Sequence, residues 1–381
     1  MKRMALLLSM ILLLTGCSLV PQEYRSVKPH ESSQQVQMPE AVEVSDYNGL
    51  TNAILQFIKA GRRDGTIRTV AYYGNVEEDL VRAVYDVTRL DPVGAFAVDY
   101  LNHNCVKILN YYEISLAITY RRSAYEVAAI QQAYTPRQLQ GQVERSLRAY
   151  DDLLAMQVTE DQEYDITALV EDYFLANPAD MMEKPEITVS VFPETGKERI
   201  VEVEFHYQNS YDDLITKKSA VAESVDAAAE YIRYRHSDRD KTRLLYTYLT
   251  ERFTYRTEPS DSPVWSALCS GVADPLGLAQ GFSLICRKAG VACYTVSGLK
   301  DGQPYYWNIV SDDGDYRHID LTRDIAQDRG LWFMTDWDMG RYYWNTAEYP
   351  ACVAEPAAQI TPEEPADTTP ADTTPAEEET A

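Results

Sequence analysis

Residues 267–298 read ALCSGVADPLGLAQGFSLICRKAGVACYTVSG, and residues 305–322 read YYWNIVSDDGDYRHIDLT. Asp274-Pro275 is a strong helix start. The Asp carboxylate caps free N–H groups, and proline fits the first helical position. Ala279, Phe282, Ile285 and Cys286 then share one helical face, and Gly290 stops the helix. Cys293–Val296 reads as a strand and Tyr305–Ser311 as another. Asp313-Gly314 is a hairpin turn into a third, Tyr316–Asp320. A helix followed by antiparallel strands belongs to the α+β class.

Upstream, Ser237 caps an expected helix from Asp238 to Arg252, with Leu245, Tyr248 and Leu249 on its buried face. With that helix included, residues 238–325 resemble the transglutaminase-like superfamily. Its pattern runs A-L-x-x-G-x-x-x-C-x-G-Y-A-x-x-F, then A-G-I, then H-x-W-N, then D-x-T. The resemblance implies a papain-like fold, a helix packed on an antiparallel sheet, with a Cys-His-Asp triad. In the family the Cys opens the helix, where unpaired N–H groups stabilise a thiolate. The ungapped match from Ala267 to Gly290 puts that position on Pro275. The His position falls on Tyr305, and the Asp position on Asp320.

Proline carries no nucleophile. Tyrosine titrates near ~10 when unperturbed and is no ordinary base at neutral pH. Asp320 can orient an imidazole but cannot replace one. The expectation is a catalytically degenerate domain that binds or scaffolds, with Tyr305, Tyr306, Trp307 and Asn308 lining what remains of the groove. One enzyme reading can be built, a cysteine hydrolase or transamidase using a relocated Cys269–His318 pair. His318 and Asp320 lie about 6.6–7 Å apart on one strand face, too far for a direct hydrogen bond. A third reading is a spacer that positions a partner protein.

The remaining chain sets the context. Met1-Lys2-Arg3, an apolar run to Leu14, and Leu14-Thr15-Gly16-Cys17 read as a signal peptide over 1–16 with a bacterial lipobox, so Cys17 is the expected lipidation site. That implies an extracytoplasmic protein tethered to the membrane by acyl chains. Residues 17–45 read as a flexible spacer, 46–215 as an α+β region of unassigned function, and 216–352 as the transglutaminase-like domain. Residues 353–381 read as a disordered tail with eight acidic groups and no basic ones. The net charge of −24 disfavours nucleic acid as a partner, and the aromatic residues beside the groove suit an envelope peptide, glycan or protein. The six cysteines show neither a CxxC nor a metal spacing, so no metal or cofactor is expected, and no disulfide pair can be chosen.

Within 46–215 the patterning predicts a helix carrying Leu50, Ala53, Ile54, Phe57 and Ile58, and a strand over 66–73. Asn75 starts a second helix, and alternating runs follow at 95–101, 105–111 and 113–120. Thr135-Pro136 opens a helix expected to reach about Met156. A helix over 166–175 and strands over 187–192 and 200–207 follow. Asp91-Pro92 is echoed by Asn177-Pro178, and Tyr120-Arg121-Arg122-Ser123 by Tyr207-Gln208-Asn209-Ser210. Two copies of one helix-plus-hairpin unit would explain the echo, as would coincidence.

Overall fold

The computed structural model describes residues 41–159, 164–252, 254–256, 258–326 and 330–353. The signal segment, Cys17, the spacer up to residue 40 and the tail from 354 lie outside the described residues. The chain divides into two compact units, one ending at Ala128 and one beginning at Ala129.

In the first unit, β1 (Val42–Val44), α1 (Tyr47–Lys59), β2 (Asp64–Thr69), α2 (Val76–Tyr85), α3 (Pro92–Ala97), β3 (Val98–Ile108), β4 (Tyr111–Tyr120) and α4 (Ala124–Ala128) follow one another. The sheet has the order β1-β2-β4-β3, with β1 parallel to β2 and the other pairs antiparallel. The apolar stripe of α1 and Leu80 and Ala83 of α2 pack against Ile67, Ile114, Leu116 and Ile118. These spacings are the helical and strand periods that put one face of each element inside. Two expectations are corrected. Val42–Val44, assigned to the spacer, is a strand whose Val44 is buried. The run 95–101 is split, because Asp91 caps a short helix with Pro92 in its first turn, and extended backbone begins only at Val98.

The second unit opens with β5 (Gln131–Gln132), α5 (Pro136–Ala149), β6 (Leu153–Thr159), α6 (Ile166–Ala176), β7 (Glu186–Phe192) and β8 (Glu198–His206). Its sheet runs β5-β6-β8-β7, again with the first pair parallel and the rest antiparallel. The β-α-β-α-β-β unit therefore occurs twice with the same strand order and the same senses. Caps recur as well: Asp46 and Thr135 start the first helix of each copy, and Asn75 and Asp165 the second. The first helix of each copy is followed by a left-handed residue, Gly61 with φ 65° in one and Tyr150 with φ 55° in the other. That left-handed turn ends α5 at Ala149, well short of Met156.

Next come α7 (Tyr211–Tyr231), α8 (Asp238–Thr250), β9 (Thr254–Tyr255), α9 (Pro263–Trp265), β10 (Val272–Ala273), α10 (Pro275–Lys288), β11 (Cys293–Lys300), β12 (Gln303–Asp312), β13 (Asp315–Ile319), α11 (Leu321–Ala326) and β14 (Tyr342–Tyr343). One core runs from Leu139, Phe174 and Val203 of the second copy through Val221, Leu245, Phe282 and Ile285. This core spans the expected boundary at 215/216: the second copy and the helices after it bury apolar residues in common.

The last sheet has the order β13-β12-β11-β14, all antiparallel. Helix α10 covers one face, where Asn308 Nδ2 donates to the Ala279 carbonyl at 2.8 Å and Ser283 Oγ to the Cys293 carbonyl at 3.0 Å. On the other face, Met334, Met339, Tyr342 and Cys352 of a strap over residues 330–353 pack around Val296, Trp307 and Ile309.

Candidate functional site

Helix α10 begins as its sequence requires. Asp274 is its N-cap, with Oδ1 accepting the Gly277 N–H at 2.6 Å, and Pro275 occupies the first turn. The second carboxylate oxygen of Asp274 accepts the Ser260 N–H at 2.6 Å, which ties the preceding loop to the helix end. Gly290, with φ 78°, follows the other end. The hairpin at Asp313-Gly314 joins β12 to β13 and brings Asp320 alongside Tyr305.

Asp320 is fully buried. Tyr305 donates its hydroxyl to Oδ1 at 3.0 Å, and the Arg323 N–H binds the same oxygen at 2.9 Å. Lys300 Nζ donates to Oδ2 at 2.8 Å, and the Tyr342 hydroxyl to Oδ2 at 2.5 Å. The Lys300 ammonium also lies over the Tyr305 and Tyr342 rings, 4.3 and 4.9 Å from their centroids. A buried carboxylate needs this many donors to offset its desolvation. Burial first, and then the Asp320 charge, push both phenols far above their ordinary range. Neither hydroxyl can serve as a base at neutral pH. This arrangement holds the Asp320 charge in place.

Lys300 and Tyr342 were not read from the sequence as site residues. Lys300 had a signal, because Asp301-Gly302 turns β11 into β12 with positive φ at both residues. Tyr342 had none, since it arrives on the strap from 22 residues beyond Asp320.

Two of the four expected groove residues lie in the core. Trp307 is 1% exposed, and Asn308 is fully buried against the Ala279 and Tyr294 carbonyls. Tyr306, on the α10 side of the sheet, does line a cleft of about 320 Å³ in front of the helix start. Leu276, Ser260 and Asp261 form one wall of it, and Glu171, Lys184, Glu186 and His206 the other.

The structure does not bring Cys269 and His318 together. Cys269 is exposed in the π-turn Ser266–Ser270, and partial desolvation of its thiol, then the Glu223 charge, raise it above the usual range. His318 is buried with both ring nitrogens engaged: Nδ1 accepts the Trp307 indole N–H at 3.0 Å, and Nε2 lies 2.8 Å from Asp336 Oδ1. The described hydrogen bonds of His318 thus go to Trp307 and Asp336 and not to Cys269.

His318 belongs instead to a cluster with Asp336 and Cys352, their ligand atoms all within 4.8 Å of one another. Its composition is that of a cysteine triad, and also that of a metal site. Neither chemistry fits. Because an indole N–H only donates, His318 Nδ1 is bare and the ring proton sits on Nε2, aimed at Asp336. Nε2 then has no lone pair for a metal or for a thiol proton. Burial pushes the Cys352 thiol up to about 12, so the thiolate form is scarce. The carboxylate of Asp336 also accepts the Cys352 N–H at 3.0 Å, which secures the end of the strap.

Residues 225–328 match the profile of the transglutaminase-like superfamily core, and this stretch is a transglutaminase-like domain. No curated protein matches the chain. Among solved structures it is similar to a TGase, at 12% identity over 80% of this chain and 81% of that one, with a TM-score of 0.25. A presumed protease from Parabacteroides distasonis is 12% identical over 55% of this chain, with a TM-score of 0.24, and the chain spans 45% of its length. A presumed cysteine protease from Cytophaga hutchinsonii is 11% identical over 42% of this chain and 72% of that one, with a TM-score of 0.25.

Proposed function

We propose that the transglutaminase-like domain is a catalytically degenerate module that binds or scaffolds at the cell envelope, carried there by a lipid on Cys17. The saturated Asp320 carries this reading. Its carboxylate is engaged by Tyr305, Tyr342, Lys300 and the Arg323 N–H, which leaves no place for the imidazole that the family Asp orients. The helix start that should present a thiol presents Pro275.

The ligand is a peptide or glycan segment held in the cleft at Tyr306. An aromatic wall flanked by carboxylates, a lysine and a histidine suits a polar chain with some apolar surface. The tether follows from Leu14-Thr15-Gly16-Cys17 after a short apolar run.

Two measurements test the reading. An active-site thiol probe should label no cysteine of the folded protein faster than a free thiol. Fast, selective labelling of one cysteine would make the domain an enzyme. Replacing Cys17 with Ser should abolish acylation by mass spectrometry, and an unchanged acyl signal would remove the anchor.

A further inference from the structure

Strand β3 is the last strand of the sheet in the first unit, and among the described residues it pairs with β4 alone. It is 11 residues long, while β7, the matching edge of the second copy, has 7. In an antiparallel ladder alternate residues of an edge strand turn their N–H and C=O groups outward, an open template for one more strand. The run from Tyr100 to Val106 does nothing to blunt that edge, because it holds no proline and no Asp, Glu, Lys or Arg. Tyr100 and Val106 are 53% and 49% exposed on one face of the strand. Leu101 and Cys105, on the other face, pack at the rim of the core. The two charged residues of the strand flank this run, Asp99 before it and Lys107 after it, and both are exposed. The strand therefore reads symmetrically about His103: opposite charges at the ends, then an aromatic and a β-branched residue, then two small apolar ones, then two asparagines.

We propose that β3 pairs antiparallel with β3 of a second copy of this chain, about a two-fold axis at His103, and so joins two four-stranded sheets into one. A two-fold interface makes every contact twice. In this register Tyr100 of each copy lies across from Val106 of the other, and an aromatic beside a β-branched side chain is a favourable cross-strand pair. Leu101 meets Cys105, and Asn102 meets Asn104. The β-bulge between Val98 and Tyr100 ends the regular ladder there. Asp99 of one copy then stands at the end of the new ladder, beside Lys107 of the other. A slip of one residue would pair core-facing side chains with solvent-facing ones. A slip of two keeps the faces but breaks both charge matches and both Tyr100–Val106 pairs. Opposite charges at the two ends therefore fix the register and turn away unlike strands. Repulsion between copies is small here, because residues 41–128 carry nine basic residues against eleven acidic ones, whereas the whole chain has a net charge of −24.

The pairing does not rest on the function proposed above. The chain lacking residues 1–17 is examined by sedimentation equilibrium across the micromolar range, where a monomer–dimer equilibrium is expected. Asp99→Lys sets two lysines against each other at both ends of the ladder, and Lys107→Asp sets two aspartates there. Each should weaken the dimer by about tenfold. The double variant Asp99→Lys with Lys107→Asp restores opposite charges and should recover the wild-type dissociation constant. Both side chains are exposed, so the reversals spare the core. A second measurement reads the axis directly. Mild oxidation of the His103→Cys variant should give a covalent dimer, mapped by mass spectrometry as a disulfide between position 103 of both copies. A wild-type chain that stays monomeric, or a dimer that neither reversal weakens, would overturn the proposal. So would a loss that the double variant fails to repair, or a covalent dimer joined anywhere but at position 103.

Discussion

The Tyr305 hydroxyl donates to Asp320 Oδ1 at 3.0 Å, so a phenol from β12 meets the fully buried carboxylate that follows β13. Asp320 is then the organising charge of this end of the sheet, and removing it should cost far more than removing any one of its donors. Asp320→Ala leaves Lys300 largely buried without its counter-charge and should destabilise the fold by about 3–5 kcal/mol. Tyr305→Phe should cost about 1 kcal/mol. Urea unfolding of the two variants checks this, and equal costs would mean that the carboxylate organises nothing.

Gly298 pairs with Tyr305 across β11 and β12 and admits the strap. A Cβ there would meet the Tyr343 carbonyl at 2.4 Å and the Trp307 ring at 2.7 Å. Gly298→Ala should lift β14 away and cost about 1–3 kcal/mol. Faster hydrogen exchange at the strand's amides, with α10 unchanged, is the expected signature. Slow exchange throughout would show that the strap adjusts.

His318 sets a pH dependence. Burial lowers its pKa, and Asp336 only partly opposes this. The folded value thus lies below the unfolded value near ~6.5, so the unfolded chain takes up the proton first. The stabilisation is present above about pH 6.5 and is lost as the pH falls from there toward the folded pKa. In Gln, the amide oxygen can accept from Trp307 and the amide nitrogen can donate to Asp336. His318→Gln should therefore flatten the pH dependence of the urea midpoint between about pH 5 and 7. An unchanged slope would assign it to other groups.

A register test uses the helix start. A thiol introduced as Pro275→Cys should titrate lower once Tyr305→His is added, because a nearby imidazolium stabilises the thiolate. The measurement is the pH dependence of alkylation in the single and double variants. Identical curves would mean that position 305 does not face the helix start.

Much of this was legible because it is local. Asp274-Pro275, Gly290, Asp313-Gly314 and Asn75 each fix their backbone by a cap, a ring or a left-handed turn, and each sits where its chemistry predicts. What failed was set at a distance. Tyr150 ends α5 in a conformation its side chain disfavours, held by its hydroxyl, which donates to the Asp180 carbonyl and accepts the Met182 N–H. Trp307 and Asn308 read as a groove until the strap and α10 covered the two sheet faces. Asp336 and Cys352 reach His318 from 18 and 34 residues downstream, with no spacing to announce them.

The duplicated β-α-β-α-β-β unit has a practical corollary for anyone dissecting this polypeptide. The first copy keeps its apolar residues to itself, whereas the second lends its own to α7, α8 and α10. A cut after Ala128 separates two bodies that each close their own interior, and calorimetry should resolve two cooperative melts. A cut at 216 would strip α10 of its floor and leave both fragments with raw apolar surface and a tendency to aggregate. Two copies of one topology have thus become unlike in fate: one is removable, and the other is the foundation on which the rest of the domain was built.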